Sequence, residues 1–256
     1  MNYAEALIKA RLIKRYKRFL ADIELDSAID IDNTQSKFIT IHTANTGSMS
    51  GCAIPGSTVW ISNSHNPKRK YLYSWELSSS EQGGLIGINT LLANKLVKEA
   101  IEKGTIHELV NKTTGNSSGF VNIETEVPYG RENSRIDLLL TENDGRKCYI
   151  EVKNVTASFE PGVAAFPDAV TARGTKHLRE LEYMVTQGHR AVIIFCVQRD
   201  DIQRVRAAKE IDPLYAQTLV QVQENGVEIL AYGASFSCSK GLPDGIHLTQ
   251  QLSVII

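Results

Sequence analysis

The stretch CYIEVKNV at residues 148–155 decides the fold, because it places an acid and a lysine two positions apart inside an apolar run. Side chains alternate along a β-strand, so Glu151 and Lys153 lie on the same face, about 7 Å apart along the strand. Ile150 and Val152 point to the opposite face. The stretch therefore predicts a strand within a sheet that presents a charged pair on one side.

A second strand, predicted over residues 135–141, carries a single acid, Asp137, among apolar neighbours. The connection at residues 142–147 is rich in Asn, Asp and Gly, which predicts a hairpin loop and antiparallel strands. Asp137 then lies beside Glu151. Two carboxylates held together in a partly apolar sheet repel each other, and a divalent cation such as Mg²⁺, which prefers oxygen ligands, relieves that repulsion.

The ammonium group of Lys153 suits nuclease chemistry, because it can orient a water molecule or stabilise the charge that develops on a phosphate. No other Asp or Glu of this chain is followed by Lys two positions on. The spacing also fits an alternative, in which Asp137, Glu151 and Lys153 form a satisfied ion-pair cluster on an exposed sheet face. The three residues are our candidate catalytic triad, with Asp137 and Glu151 as metal ligands, and the alternative stays open.

The spacing of apolar residues along the sequence changes near residue 87. Residues 12–88 contain short β-rich runs at 19–25, 38–42, 58–62, 71–77 and 85–88, which predict a small barrel. Beyond them the order α-β-β-β-α-β-α-β predicts a mixed sheet flanked by helices. We therefore predict two domains, at residues 1–86 and 87–256, in an α/β protein.

Three helices are expected in the second domain. The first ends near Gly104, the second opens at Asp168, whose carboxylate caps it, and the third runs from about Asp212 to Asn225 with Pro213 in its first turn. The second helix stops at Gly188.

The composition excludes several classes of protein. Lys and Arg number 28 against 29 Asp and Glu, so a polyanionic ligand would depend on local clusters of cations. The four cysteines are far apart without zinc-ligand spacing, which indicates a reducing compartment. No apolar stretch approaches the roughly 18 residues of a membrane span. We expect a cytoplasmic protein without membrane contact.

Two local clusters of cations lie in the predicted barrel. Residues 9–18 hold six cations interleaved with an aromatic residue, and residues 68–70 are followed by Tyr71, Tyr73 and Trp75. Cations that follow phosphates and aromatic faces that stack on bases are typical of single-strand binding by small barrels. The three aromatic residues share a face of their strand, so burial in the core would explain them equally well. The predicted DNA-binding residues of the barrel are Lys14, Arg15, Lys17, Arg18, Lys68, Arg69 and Lys70.

A third basic strip lies on the helix predicted from Asp168. Arg173, Lys176 and His177 have i, i+3 and i+4 spacing and share one side, which could face the metal site and receive phosphates. We include them among the predicted DNA-binding residues, although a single histidine here is more typical of a solvated surface than of a catalytic base. The core face of this helix is predicted to comprise Val170, Leu178, Leu181 and Val185.

Six stretches carry a family resemblance: LIKRYKRFLAD (12–22), NTGSM (45–49), NPKRKY (66–71), SRID (134–137), YIEVK (149–153) and FPDAVTARG (166–174). They resemble the sugar fermentation stimulation protein A (SfsA) family, nearly end to end. The resemblance implies an N-terminal OB-fold and a C-terminal PD-(D/E)xK restriction-endonuclease-like domain. It also implies non-specific DNA binding and a regulatory role in sugar (maltose) metabolism.

By this resemblance Asp137, Glu151 and Lys153 match the nuclease triad. Glu99, on the preceding helix, matches the acid that some of these nucleases add to the metal site. The chain departs from the family in having Thr43-Ala44 where Cys-Pro is usual, and Thr175 where Gln is usual.

Three functions follow as hypotheses. The favoured one is a DNA-binding regulator with a nuclease-like Mg²⁺ site, binding single- or double-stranded DNA with weak sequence preference. The second is an active nuclease that uses Mg²⁺, or Mn²⁺, to hydrolyse phosphodiesters. The third is an RNA- or nucleotide-binding protein. A homo-oligomer is left open.

Overall fold

The computed structural model describes residues 1–31, 34–109, 120–142 and 145–256. The first half of the chain is a barrel of six strands in the order β3-β2-β1-β4-β5-β6, closed by a pairing between β3 and β5. This confirms the predicted small barrel. The strands are β1 (Ile8–Tyr16), β2 (Leu20–Ile31), β3 (Thr34–His42), β4 (Thr58–Asn63), β5 (Tyr73–Ser79) and β6 (Leu85–Gly87).

Strand β1 lies in the basic cluster, where the sequence predicts no strand. Its side chains alternate, with Ala10 and Leu12 in the barrel core and Lys9 and Arg11 exposed. Only two of its residues are fully buried, so the exposed cations obscure the alternation of apolar and polar residues that indicates a strand. Trp75 also lies in the barrel core, fully buried, so it offers no face to a base.

The second half is a mixed sheet of six strands in the order β15-β14-β12-β9-β8-β7, and a smaller sheet in the order β10-β11-β13-β16. Strands β9, β12 and β14 are parallel, whereas β8 runs antiparallel to β9. The helices are α1 (Ala93–Glu102), α2 (Ala172–Thr186) and α3 (Pro213–Glu224). The strands are β7 (Phe120–Tyr129), β8 (Ser134–Glu142), β9 (Lys147–Val155), β10 (Ser158–Glu160), β11 (Val163–Phe166), β12 (Arg190–Val197), β13 (Arg204–Ala207), β14 (Glu228–Ser239), β15 (Leu242–Gln251) and β16 (Ser253–Ile255).

Helices cover both faces of the six-stranded sheet. On one face α1 packs through Leu96 against Ile150 and neighbouring side chains. On the other face α2 and α3 pack through Leu178 and Leu219. The arrangement confirms the predicted mixed sheet between helices and buries both faces of β9.

Helix α2 begins later than the sequence predicts. Its first residue is Ala172, and Thr171 caps it by accepting a hydrogen bond from the Gly174 backbone at 3.0 Å. Asp168 is not the cap, because its carboxylate accepts from the backbone of Ser48 in the barrel at 2.8 Å. Val170 precedes the helix and is 76% exposed, so the predicted core position is wrong.

The third helix begins as predicted. Pro213 is its first residue, and the carboxylate of Asp212 accepts a hydrogen bond from the Tyr215 backbone at 2.9 Å. The predicted hairpin between β8 and β9 is confirmed by their antiparallel pairing. Residues 143–144 of its loop lie outside the described residues.

The turn between β7 and β8 is held by a buried acid of α2. The Glu180 carboxylate accepts hydrogen bonds from the backbones of Arg131 and Glu132, at 2.7 and 3.2 Å. Gly130 approaches this carboxylate so closely that a Cβ would lie 1.5 Å from its Oε2 atom. The turn therefore requires a glycine, and it positions the start of β8, the strand that carries Asp137.

We predict that Gly130→Ala destabilises the protein more than Gly241→Ala does. Both glycines have positive φ, 72° and 79°, so each substitution carries a backbone cost of roughly 1–2 kcal/mol. Only Gly130 faces a clash, which adds about 1–3 kcal/mol, because nothing lies within 4 Å of a Cβ at Gly241. Urea unfolding of the two variants measures the difference, and equal losses would contradict the proposed contact.

Candidate metal centre and nucleic-acid interface

The candidate site lies where β8 and β9 diverge. The two strands pair from Leu138 and Ile150 onward, and Asp137 is the next residue of β8 beyond the paired region. Its Oδ2 atom accepts a hydrogen bond from the Val152 backbone at 2.8 Å, and its Oδ1 atom accepts from the Asn94 side chain at 2.8 Å. The carboxylate thus takes over a backbone donor of β9 that the ladder no longer satisfies.

Glu151 presents its carboxylate beside this pair of strands. Its Oε1 atom accepts a hydrogen bond from the Lys153 ammonium at 2.7 Å and is hydrogen-bonded to Nδ1 of His177. Its Oε2 atom is buried and has no hydrogen-bond partner among the described residues. The hydroxyls of Tyr129 and Tyr215 are also buried, and neither has a hydrogen-bond partner in the described ranges. Since an unpartnered buried polar atom is costly, the site has unsatisfied capacity for a ligand.

The two carboxylates are electrostatically coupled. Burial, and then the negative charge of Glu151, raise the pKa of Asp137, and the hydrogen bonds from Val152 and Asn94 offset this only in part. Burial alone would raise the pKa of Glu151, but the hydrogen bond to His177 and the charge of Lys153 lower it. A divalent cation between the two would favour the ionised form of both.

The alternative of a satisfied cluster on an exposed face agrees with the structure only in part, because Lys153 pairs with Glu151 at 2.7 Å but the Glu151 carboxylate is buried. Glu151 is 3% exposed, and one of its oxygens has no partner among the residues described. Two carboxylates that lie near enough for the charge of one to raise the pKa of the other fit a hard cation that keeps several waters, as Mg²⁺ does. Within the described ranges, no group of three His, Cys, Asp or Glu residues is arranged to hold a metal.

Glu99, the predicted third acid, is not brought to this pair. Its carboxylate pairs with the Met1 amino group and with Lys103, both at 2.7 Å, and lies 3.5 Å from His247 on β15. Strand β15 is four strand positions from β8, roughly 19 Å at about 4.8 Å per strand. The residue of α1 that does reach Asp137 is Asn94. The sequence could have indicated this position, because residue 94 lies on the same helical face as the buried Val97 and so faces the sheet.

His177 is part of the site rather than a solvated surface residue. It is 4% exposed and bonded to Glu151, and its Nε2 atom accepts a hydrogen bond from Nε of Arg173 at 3.3 Å. Because an arginine nitrogen can only donate, the ring proton lies on Nδ1 and points to Glu151. Burial removes His177 from the predicted basic strip and makes it the link between Arg173 and Glu151, the candidate metal ligand.

The cations of α2 differ in what they bind. Lys176 donates to the Glu132 carbonyl at 2.7 Å, and Arg179 pairs with the Glu132 carboxylate at 3.2 Å. Arg173 is exposed, and its two terminal nitrogens have no hydrogen-bond partner among the described residues. At position 175 the threonine hydroxyl donates to the Thr171 carbonyl at 3.3 Å, within the helix.

The cations of the barrel also differ in whether they already bind another group of the protein. The guanidinium of Arg15 donates to the carbonyls of Asn45, Gly47 and Ser48, so it holds a barrel loop together. Lys14 pairs with Asp22 at 3.5 Å. The predicted barrel cations with exposed side chains and no ion pair among the described residues are Lys17, Arg18, Lys68 and Lys70.

An aromatic groove crosses the barrel between β3 and the loop that joins β4 to β5. It encloses about 810 Å³ and is lined by Phe38, Tyr71 and Tyr73 together with Arg69 and Lys70. Phe38 is 63% exposed, and the Lys70 ammonium lies 5.6 Å from the centre of the Tyr71 ring. Sequence reasoning assigned Phe38 to a strand without noting its exposed face.

No helix among the described residues is both long enough and apolar enough to span a membrane. A protein-family model for the "SfsA N-terminal OB domain" matches residues 13–88, and one for the "Sugar fermentation stimulation protein RE domain" matches residues 91–240.

Whole-chain comparisons agree with the two family models. A sugar fermentation stimulation protein homolog of Thioalkalivibrio sulfidiphilus is 49% identical over 254 residues, covering 99% of this chain and 98% of that protein. The homolog of Shewanella loihica is 54% identical over 231 residues, or 90% and 92% of the two chains. The solved structure of Pyrococcus furiosus SfsA in complex with Ca²⁺ has a TM-score of 0.81 and 26% identity, covering 100% and 98%. The chain belongs to the sugar fermentation stimulation protein family.

Proposed function

We propose that the protein binds DNA and holds a DNA phosphate at a divalent cation, preferentially Mg²⁺, that Asp137 and Glu151 bind. The observation that carries this proposal is the buried Oε2 atom of Glu151, which has no partner among the described residues and whose carboxylate raises the pKa of the half-buried Asp137 nearby. Pyrococcus furiosus SfsA, a relative of the same fold, was solved with Ca²⁺, which shares with Mg²⁺ the preference for oxygen ligands.

Each residue of the site has a defined part in this proposal. A bound cation would act as a Lewis acid on a phosphate oxygen. Lys153 lies on Glu151 and is placed to orient a water molecule. The terminal nitrogens of Arg173, which have no partner in the described part of the chain, would make a bidentate contact with a phosphate, and the hydrogen bond to His177 positions the guanidinium.

Hydrolysis of the phosphodiester, with Mg²⁺ or Mn²⁺, is a second candidate function. The observation that favours it is the position of Lys153, whose side chain is 12% exposed and pairs with a candidate metal ligand at 2.7 Å. A purely electrostatic DNA contact would not require a buried ammonium, because surface cations bind phosphates without it. A lysine at a metal ligand suits the activation of water.

The proposed role in sugar (maltose) metabolism rests on the family alone. We propose that DNA binding serves a regulatory output there. Complementation of a deletion strain with a gene that encodes the Asp137→Asn variant tests whether this role needs DNA binding or DNA cutting. The variant is expected to keep DNA binding and to lose DNA cutting.

We predict that Asp137→Asn abolishes metal binding and any cutting but keeps most DNA affinity. The wild-type melting temperature should rise with Mg²⁺ or Ca²⁺, because an ion at 100 times its Kd stabilises the folded state by about 2.7 kcal/mol. The variant should show no rise. In EDTA the free energy of unfolding of the variant should be within about 1 kcal/mol of the wild-type value. The pKa of Asp137 is raised in the folded state, so its ionised carboxylate lowers the stability of the wild type at pH values above that pKa.

Thermal shift and incubation with single- and double-stranded DNA measure both effects. Lys153→Ala is the companion variant, which should lose cutting and retain the metal-induced shift. Cutting that persists in Asp137→Asn would exclude this site as the catalytic one.

A second prediction concerns the aromatic groove. Phe38→Ala should weaken single-strand binding about 5- to 150-fold without changing the salt dependence, because a stacked base contributes roughly 1–3 kcal/mol. Lys70→Ala should instead lower the slope of log affinity against log salt by about one. Lys240→Ala, an exposed cation of the turn between β14 and β15, is the control. Filter binding at several salt concentrations distinguishes them, and unchanged affinity in both groove variants would remove the groove from the interface.

Arg173 and Arg179 provide a further matched pair. Arg173→Ala should lower cutting, or DNA affinity in Ca²⁺, by about tenfold or more, since a charge-assisted hydrogen bond contributes about 1.5–3 kcal/mol. Arg179→Ala should change both by less than about twofold, because Arg179 already pairs with Glu132 at the surface. His177→Ala should resemble Arg173→Ala. Similar effects at positions 173 and 179 would show a general charge effect.

A further inference from the structure

A small cavity lies where the barrel meets the six-stranded sheet. It encloses about 180 Å³, and β9 contributes Asn154, the residue directly after Lys153. The barrel contributes Asn45 and Thr46, and the segment before α2 contributes Phe166 and Asp168. The cavity is therefore formed by both halves of the chain, and Asn154 of β9, one residue after Lys153, is the lining residue that connects it in sequence to the candidate metal centre.

The barrel wall of the cavity is tightly held. The Arg15 guanidinium donates to the Asn45 and Gly47 carbonyls at 3.1 and 2.9 Å. The Asp168 carboxylate accepts from the Ser48 backbone and hydroxyl at 2.8 and 3.2 Å. A Cβ on Gly47 would lie 2.4 Å from Asp168 Oδ2, so only glycine allows this approach. Such a wall is preorganised for a ligand.

The polar groups of the cavity offer both donors and an acceptor. The side-chain oxygen of Asn45 accepts from the Gly47 backbone at 2.9 Å, and that of Asn154 accepts from Gln198 at 2.6 Å. Both amide oxygens are thereby occupied, which leaves the two NH₂ groups as donors without partners among the described residues. Asp168 uses Oδ2 for Ser48 and has Oδ1 left as an acceptor.

Size and charge limit what the cavity can hold. Pockets for drug-sized ligands measure roughly 300–1,000 Å³, so about 180 Å³ suits one flat ring system rather than a whole nucleotide. The carboxylate of Asp168 disfavours a phosphate. The Phe166 ring, packed against Phe195 and Tyr215, supplies an apolar wall. Amide donors, a carboxylate acceptor and an aromatic wall match the edge and face of a nucleobase.

We infer that this cavity receives one nucleobase of the bound DNA, turned out of its stack beside the phosphate at the metal centre. The inference rests on the proposed function, because it requires DNA at that centre. It makes the protein selective for DNA in which a base leaves the stack at little cost, namely single strands and mismatched pairs.

The test uses duplexes that carry 2-aminopurine either in a matched pair or opposite a mismatch, in EDTA and in Ca²⁺. The fluorescence of 2-aminopurine rises when the base is unstacked. Wild-type protein should bind the mismatched duplex more tightly and raise its fluorescence. Thr46→Leu, which fills the cavity from an exposed position, should abolish the rise and lower the preference about tenfold, the equivalent of about 1.4 kcal/mol.

Two controls accompany this variant. Thr249→Leu makes the same change at an exposed position of β15 and should behave as wild type. Asn45→Asp keeps the acceptor for Gly47 but removes the NH₂ donor, and should lower the mismatch preference relative to Asn122→Asp, which adds the same charge on exposed β7.

The outcomes separate the two proposals. Salt-dependent binding of both duplexes without a fluorescence rise, or an unchanged preference in Thr46→Leu, would overturn the base pocket and leave DNA binding intact. Failure of the wild type to bind either duplex would overturn the proposed function and the pocket with it.

Discussion

The separation of β8 from β9 at Asp137 is the constraint on which the rest of the site depends. A backbone donor of β9 that loses its ladder partner must be satisfied, and the Asp137 carboxylate satisfies Val152 at 2.8 Å. This places one acid at the point of divergence and leaves Glu151 beside it, buried in the sheet. Helix α1 supplies Asn94 and helix α2 supplies His177, so three layers of the fold meet at two carboxylates.

Two charged residues that the sequence suggests for other roles, Arg15 and Asp168, instead hold the barrel loop at residues 45–48. Arg15 lies in a run of cations, yet its guanidinium binds barrel carbonyls. Asp168 stands where a helix cap is expected, yet its carboxylate binds Ser48 across the domain junction. Both residues bind the same loop, and this loop forms one wall of the cavity. The barrel therefore carries two separate features, the aromatic groove and the loop at residues 45–48.

The cations are sorted by what they already bind. Lys176 and Arg179 are engaged with Glu132, and Lys14 is engaged with Asp22. The cations whose charged groups have no ion pair among the described residues lie exposed on the barrel or, in the case of Arg173, on helix α2. With a formal net charge of -1, the chain has no excess of cations to attract DNA in general. The proposed DNA interface therefore depends on the few cations that have no ion pair among the described residues, and on where they lie.

The sequence by itself determined the strands β8 and β9, their hairpin and the presence of two acids and a lysine at the site, because alternation and turn composition are local properties. The closed barrel and the flanking helices could be anticipated for the same reason. The tertiary structure decided that Asn94 rather than Glu99 reaches Asp137, that His177 is buried, and that Trp75 lies in the core. Those outcomes depend on strand order and on packing between distant segments, which no local period encodes.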